Sequence, residues 1–362
     1  MTPDTPPSPL CPSPLGPPGP PGPPSEARRQ ILHCRTLREQ GVSAAEATER
    51  CRPGGPWRML LPGVYLLGQG PPTSEERLCA ALLYAAGQPI PAQAGPDRCP
   101  APVPPAPSAP EAQITGLAAL ALHGFATAPS LPALEHLDVL LPRVRRLRSS
   151  GFARIVRAQV MPRAEQITGL PVAPVARALA DAVAGLTDPV AGLPDAALAR
   201  RLLTEAVRGR RCEAAAAVRE LDRAGLLELP RVAEAVENLL VEDRADAEGD
   251  LYALVRLHRL PDPCWNVGLR LPGGPVLGTL DAYWPEEAVA VEITRTPLPG
   301  QEARRAEHAR RREVLERLGI TVLALTPEKL RTSPRQQAAV VRTALMAADD
   351  REPPAYVMVL PH

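Results

Sequence analysis

Two proline-rich segments divide the chain and limit where regular secondary structure can form. Residues 1–25 are about half proline and contain GPPGPPGPP at 16–24, and residues 88–112 are a second such segment. Proline lacks a backbone N–H and has a fixed φ, so neither helices nor sheets are expected to run through these segments. We therefore predict a disordered tail at 1–25 and a linker at 88–112. For the tail, a ligand of a proline-binding domain is the alternative.

Composition excludes several classes of protein. The formal net charge is +1, so a nucleic-acid surface must come from local clustering of charge. The seven cysteines are scattered and include no C-x-x-C pair, which disfavours a disulfide framework or a zinc site. We find neither an apolar run of the ~18 residues that a transmembrane helix needs nor a signal-peptide pattern. We expect a cytoplasmic protein with no membrane partner and no small-molecule cofactor.

Residues 26–87 have the pattern of a winged helix-turn-helix. Helical spacing predicts helices over 26–40 and 42–51, and Ser43 followed by Glu46 is a capping box for the second helix. Two apolar runs within 57–70 flank a Pro-Gly dipeptide, which predicts a hairpin. An excess of arginine in this region suits contacts to DNA phosphates. A small helical protein-interaction module is the alternative.

The middle of the chain is predicted to form a mixed α+β domain at 113–187, followed by a helical spacer at 188–243. Its predicted elements are helices at 114–125 and 174–186 and strands at 134–142 and 153–162. The segment RVRRLRSSGFARIVRAQVMPR (143–163) has seven arginines and no acidic residue. It is the best candidate for a surface that contacts the nucleic-acid backbone. The DNA-binding residues predicted in it are Arg143, Arg145, Arg146 and Arg148.

From Asp243 the pattern changes, and we predict a C-terminal α/β domain at 244–335 with an extension at 336–362. Its predicted helices are 248–259 and 302–318, and its predicted strands are 264–271, 276–284, 288–294 and 320–325.

The strands 276–284 and 288–294 are predicted to form a hairpin that pairs two carboxylates. A tight turn centred between Glu286 and Glu287 puts Asp281 directly opposite Glu292, with Cβ atoms ~5 Å apart. Opposed like charges are destabilising, and a divalent cation is an economical way to offset the repulsion. Alternatively, both carboxylates lie on the solvated face of an alternating hairpin.

Three motifs at 247–330 carry a resemblance: AEGDLYALVRLHRLPDP, LDAYWPEEAVAVEI and ARRREVLERLGITVLALTPEKL. They resemble actinobacterial nuclease-like domains that are related to very-short-patch repair endonucleases and have the PD-(D/E)XK fold. The resemblance implies hydrolysis of phosphodiesters with Mg²⁺ or Mn²⁺. It assigns the catalytic positions to Glu248, Asp281, Glu292 and Thr294. The implied metal ligands are Asp281, Glu292 and the carbonyl of Ile293, with Glu248 as a further ligand. The implied DNA contacts are Arg304, Arg305 and Arg311.

Thr294 departs from the pattern of this family, which has an acidic residue there, or lysine in the wider superfamily. Threonine neither ligates a cation as a carboxylate does nor supplies the charge of a lysine, and the next residue, Arg295, cannot act as a base. The sequence therefore leaves two functions open. One is a metal-dependent DNA endonuclease, and the other is a non-catalytic transcriptional regulator with a degenerate nuclease domain.

A second resemblance covers the N-terminal half. The segments LLPGVYLLG (60–68), ITGLAALALHGF (114–125) and ITGLPVAPVARALAD (167–181) resemble abortive-infection antitoxin-type regulators, which are often fused ahead of such nuclease-like domains. The expected fold is therefore a multidomain α/β protein. It has an N-terminal winged helix-turn-helix, a mixed α+β middle domain and a C-terminal restriction-endonuclease-like domain, with DNA as its partner. The sequence leaves the oligomeric state open.

Overall fold

The computed structural model describes residues 29–86, 112–187, 195–294, 302–348 and 356–361. Within these ranges the chain has eleven α-helices and three β-sheets, which confirms a mixed α/β protein. The predicted tail and nearly all of the predicted linker lie outside the described residues. None of the described helices combines the length and the apolar character needed to cross a bilayer.

The first sheet has three antiparallel strands in the order β1-β3-β2 and carries two short helices. Ser43 caps the second helix by accepting a hydrogen bond from Glu46 N at 3.1 Å, as the capping box predicts. The predicted hairpin also forms, with Gly63 in its turn at φ 76°. The helix predicted over 26–40 is wrong at its start, because Ile31 lies in a strand and is buried. The elements are β1 (Gln30–His33), α1 (Cys34–Glu39), α2 (Ala44–Arg50), β2 (Trp57–Leu61), β3 (Val64–Leu67) and α3 (Ser74–Ala86).

The second sheet has five strands in the order β6-β5-β4-β8-β7. The strands predicted at 134–142 and 153–162 are confirmed as β5 and β6, which pair in parallel. The helix predicted at 114–125 begins only at Gly116, because the residues before it pair with β5. The elements are β4 (Gln113–Thr115), α4 (Gly116–Leu122), β5 (Leu137–Pro142), β6 (Ala153–Ala158), β7 (Glu165–Ile167), β8 (Leu170–Val172) and α5 (Val175–Thr187).

Three helices follow, and they do not form the separate spacer that is predicted at 188–243. They are α6 (Ala196–Arg208), α7 (Ala214–Arg223) and α8 (Pro230–Leu257). Leu202, Leu221 and Leu239 are buried in the same hydrophobic core as the second sheet, so these helices are part of its fold. The long helix α8 also crosses the boundary predicted at 243/244, because the polar residues there continue the helix. Its second half packs in the core of the third sheet. Helix α8 thereby joins the second and third sheets.

The third sheet has the order β12-β11-β10-β9-β13, in which only β11 and β12 pair in parallel. Val291 of β11 packs in one core with Leu251 of α8 and Val341 of α11, as strand alternation predicts. The predicted extension at 336–362 is instead integral to this fold, since α11 contributes to its core and β13 pairs with β9. The elements are β9 (Cys264–Arg270), β10 (Val276–Trp284), β11 (Val289–Ile293), α9 (Glu302–Arg317), β12 (Thr321–Leu325), α10 (Pro327–Thr332), α11 (Pro334–Met346) and β13 (Met358–Pro361).

Two buried aspartates link the strands and helices of the second sheet. Arg154 donates to Asp138 Oδ2 at 2.8 Å, and Arg177 Nη2 lies 2.8 Å from Asp181 Oδ1. Thr115 Oγ1 donates to Asp181 Oδ2 at 2.5 Å. Burial raises the pKa of both carboxyl groups, although their arginine partners oppose the shift. These ion pairs therefore serve the fold of this region.

Gly116 is the position in this network where a side chain is excluded. Its φ is 62°, and a Cβ atom built on it would lie 2.3 Å from Asp138 Oδ2. Gly116→Ala should lower the free energy of unfolding by about 2–5 kcal/mol, because the methyl group strains the backbone and displaces a buried carboxylate.

Gly225→Ala is the control, since Gly225 has a φ of 68° but no atom within 4 Å of a built Cβ. Only backbone strain of about 1–2 kcal/mol is expected there. Urea denaturation of both variants measures the difference, and equal decreases in stability would contradict a steric role for Gly116.

Candidate functional site

Asp281 and Glu292 come together in the third sheet. The paired residues of the antiparallel strands β10 and β11 end with Ala282 opposite Val291, and continuing this register by one residue places Asp281 opposite Glu292, as predicted. The exposed fractions of Asp281 and Glu292 are only 4% and 8%. The alternative in which both carboxylates lie on a solvated face is therefore wrong.

Asp281 is held by one backbone group and one charged side chain. Its Oδ2 accepts a hydrogen bond from Ile293 N at 2.6 Å, and its Oδ1 accepts one from the guanidinium of Arg244 on α8. Burial raises the pKa of the Asp281 carboxyl group. The hydrogen bond from Ile293 and the charge of Arg244 lower this pKa, while Glu248 and Glu292 raise it further. The net shift is upward, so the partners of Asp281 do not fully offset its removal from water.

Arg244 contacts three of the four groups that the resemblance assigns to a metal ion. Besides its bond to Asp281, its Nε lies 3.0 Å from Glu248 Oε1, and its Nη1 donates to the carbonyl of Ile293 at 3.4 Å. Arg244 lies one helical turn before Glu248, so spacing alone indicates that these two side chains can pair. Nothing in the sequence indicates that Arg244 also reaches the hairpin.

Helix α9 supplies the partners of Glu292. The guanidinium of Arg311 donates to Glu292 Oε1, which also lies 3.2 Å from His308 Nδ1, and Arg312 lies 3.8 Å from Oε2. Gly278 makes room for Arg311, because a Cβ atom at Gly278 would lie 2.5 Å from Arg311 Cδ. Arg311, predicted to contact DNA, and His308, which has no partner at metal-ligand spacing in the sequence, thus both lie against Glu292.

The other predicted site residues lie around this pair. Thr294 follows β11 directly, and its backbone N donates to the carbonyl of Leu325 at 2.7 Å. Arg305 is exposed on α9, while the side chain of Arg304 lies outside the described residues.

The charge of the site is already balanced by protein groups. The three carboxylates of Glu248, Asp281 and Glu292 lie within 4 Å of the guanidinium groups of arginines from α8 and α9. Divalent cations need oxygen ligands at about 2.0–2.6 Å. Here the carboxylate oxygens of Glu248 and Asp281 contact Arg244 instead, and those of Glu292 contact Arg311 and Arg312. The described part of the chain contains no group of three or more His, Cys, Asp or Glu side chains that could hold a metal ion. The residues as arranged do not fit Mg²⁺ or Mn²⁺.

The predicted basic segment contains both exposed and structural arginines. Arg143, Arg146 and Arg148 are exposed, and no described residue forms an ion pair with them. Arg145 instead donates to the last two carbonyls of α3, at 2.8 and 3.2 Å. Arg157 donates to a carbonyl within the segment at 2.7 Å. The surface available to a partner is therefore smaller than the sequence suggests.

Arginines near the second N-terminal helix are paired locally. Arg50 donates to Glu46 on α2 and lies 4.6 Å from the centre of the Trp57 ring, and Arg52 lies 2.8 Å from Glu49. These glutamates reduce the positive potential of α2. Any phosphate contacts of this region must rely on other arginines.

No protein-family model and no curated protein matches this sequence.

The raised pKa of Asp281 predicts a pH dependence of stability. The folded state binds this proton more tightly than the unfolded state does, so its contribution to stability falls as pH rises from about 4 through the folded pKa. In the Asp281→Asn variant the side chain at this position cannot be protonated or deprotonated. The difference in unfolding free energy between variant and wild type should therefore move in favour of the variant across that window and then stay constant.

Urea denaturation at a series of pH values measures this difference. Asp246→Asn, which removes an exposed carboxylate from the same helix α8, controls for the removal of one charge. A difference that moves in favour of the wild type as pH rises would mean that Arg244 and Ile293 outweigh burial at Asp281.

Proposed function

We propose that this chain is a DNA-binding protein whose C-terminal domain resembles PD-(D/E)XK endonucleases but does not cleave DNA. The observation that carries the proposal is that both members of the carboxylate pair, Asp281 and Glu292, are buried and bound by arginines. Hydrolysis by such a domain requires carboxylates that are free to hold a metal ion, which activates water. Arginine stays charged, so it cannot take a proton from water in place of the metal ion.

Support for DNA binding comes from the exposed arginines of the segment between β5 and β6. Arg143, Arg146 and Arg148 lie close together in sequence, and Tyr84 of α3 donates to the carbonyl of Arg148 at 2.8 Å. This contact attaches the basic segment to the N-terminal unit, which in the proposal is a winged helix-turn-helix. The two would form one surface that contacts phosphates, and such contacts are independent of base sequence. The proposal thus describes a regulator of the antitoxin type.

A Mg²⁺- or Mn²⁺-dependent endonuclease is the second candidate. The observation that favours it is that Asp281, Glu248 and the carbonyl of Ile293 lie around one position, that of the Arg244 guanidinium, and that Glu292 is near enough to raise the pKa of Asp281. That candidate requires Arg244 to leave these groups before a metal ion can bind. Hydrolysis would also have to proceed with Thr294 at the position where the family has an acidic residue and the wider superfamily has lysine.

Replacing Arg143, Arg146 and Arg148 together with alanine should weaken duplex binding equally for unrelated sequences. The slope of log K against log salt should become shallower by ~0.9 for each phosphate that the variant no longer neutralises. Fluorescence anisotropy with labelled duplexes at several salt concentrations measures both quantities.

The control is the alanine variant of Arg200, Arg201 and Arg231, three exposed arginines on α6 and α8, which removes the same charge elsewhere. Equal slopes for both triple variants would contradict the assigned surface.

The same duplex incubated with Mg²⁺ or Mn²⁺ should stay intact. Cleavage by the wild type and not by Asp281→Asn would establish the second candidate instead.

A further inference from the structure

We propose that Arg244 is the resident cation of the carboxylate site, in place of a divalent metal ion, and that its removal opens a site for Mg²⁺ or Mn²⁺. The inference rests on the proposed function, because it gives the reason why the domain would not cleave DNA.

The contacts of Arg244 match those of a bound cation. A guanidinium group is planar and directs its N–H groups outward in a fixed arrangement. Here three different nitrogens of Arg244 each contact a different oxygen, on Asp281, Glu248 and the Ile293 carbonyl. An arginine that served only as the helical partner of Glu248 would not need the other two contacts. One side chain thus joins α8, β10 and β11 as a metal ion with those ligands would.

The position of Arg244 is fixed by the helix that carries it. One turn later in α8, Ala247 is fully buried, and Leu251 is buried after it, both in the core of the third sheet. Leu239, before Arg244, is buried in the core of the second sheet. Both ends of this stretch of α8 are therefore anchored, so the guanidinium is presented to the hairpin by a rigid element.

Removing Arg244 would leave a set of hard oxygen ligands without a cation. Asp281, Glu248 and the carbonyl of Ile293 would be deprived of their shared partner, whereas Glu292 would keep Arg311 and Arg312 from α9. Two carboxylates and one carbonyl are the type of ligands that Mg²⁺ and Mn²⁺ take, with water completing the shell. The site opened by the substitution would be held by those three groups.

Arg244→Met in the full chain tests the proposal, because methionine keeps much of the side-chain volume but not the charge. In EDTA the variant should unfold at a lower temperature than the wild type, since Asp281 is left buried without its partner. Mg²⁺ or Mn²⁺ should restore stability. At about ten times its Kd, the ion raises the ratio of folded to unfolded protein about 11-fold, which is a few degrees in Tm. The wild type should show no such shift.

Arg29→Met is the matched control. Arg29 has the same exposed fraction as Arg244, 27%, and it lies 2.7 Å from a single carboxylate, that of Glu76. Its other acceptors are backbone carbonyls. This variant should be less stable than the wild type in EDTA and should not be stabilised by the metal ions, because no second carboxylate remains to share an ion.

An equal rise in Tm for wild type and Arg244→Met would overturn the proposal, and so would a variant that does not respond to either ion. If Arg244→Met is recovered folded only when metal is present, the proposal is supported. If it does not fold in either condition, Arg244→Gln replaces it, because its amide can still donate to Asp281 while the cation position stays open. Cleavage of DNA by the wild type would overturn the proposed function, whereas the metal response of the variants tests the role of Arg244 separately.

Discussion

The contact between the Arg244 guanidinium and the buried Asp281 carboxylate is the interaction on which the C-terminal site depends. Two carboxylates at one point of a hairpin repel each other, and taking them out of water adds a further cost. Arg244 on one side and Arg311 on the other neutralise the pair. Removing one partner of such a buried pair generally costs about 3–5 kcal/mol, so these arginines stabilise the fold as well as neutralise the site.

The architecture explains how both cations reach the same point. β11 is buried on both faces: Val291 packs toward α8 with Leu251, and Ala290 packs toward α9 with Leu315. The two helices therefore cover opposite faces of the sheet, and each contributes arginine at the end of the hairpin. Because α8 also packs in the core of the second sheet, the carboxylate site is physically continuous with the region that carries the exposed arginines.

Strand alternation and the tight turn are enough to predict that Asp281 lies opposite Glu292, since register fixes which residues face each other. The partners of the pair cannot be predicted in the same way. Spacing on α9 allows Arg311 to pair with Glu307 just as it allows Arg317 to pair with Glu313, yet Arg311 pairs with Glu292 while Arg317 pairs with Glu313. Tertiary contacts decide between such local alternatives. The continuity of α8 escapes prediction for a related reason. Within 241–246 only Asp243 is buried, and the other residues show no apolar pattern that would indicate a helix running from one core to the next.

In this structure arginine side chains neutralise the carboxylate pair, and we propose that they do so in place of a metal ion. Crystals of the wild-type chain grown in the presence of Mn²⁺ and measured near the manganese absorption edge test it directly. We predict no anomalous peak at the pair and continuous density for the Arg244 guanidinium between Asp281 and Glu248. An anomalous peak within about 2.0–2.6 Å of the Asp281 carboxylate, with Arg244 displaced, would contradict it.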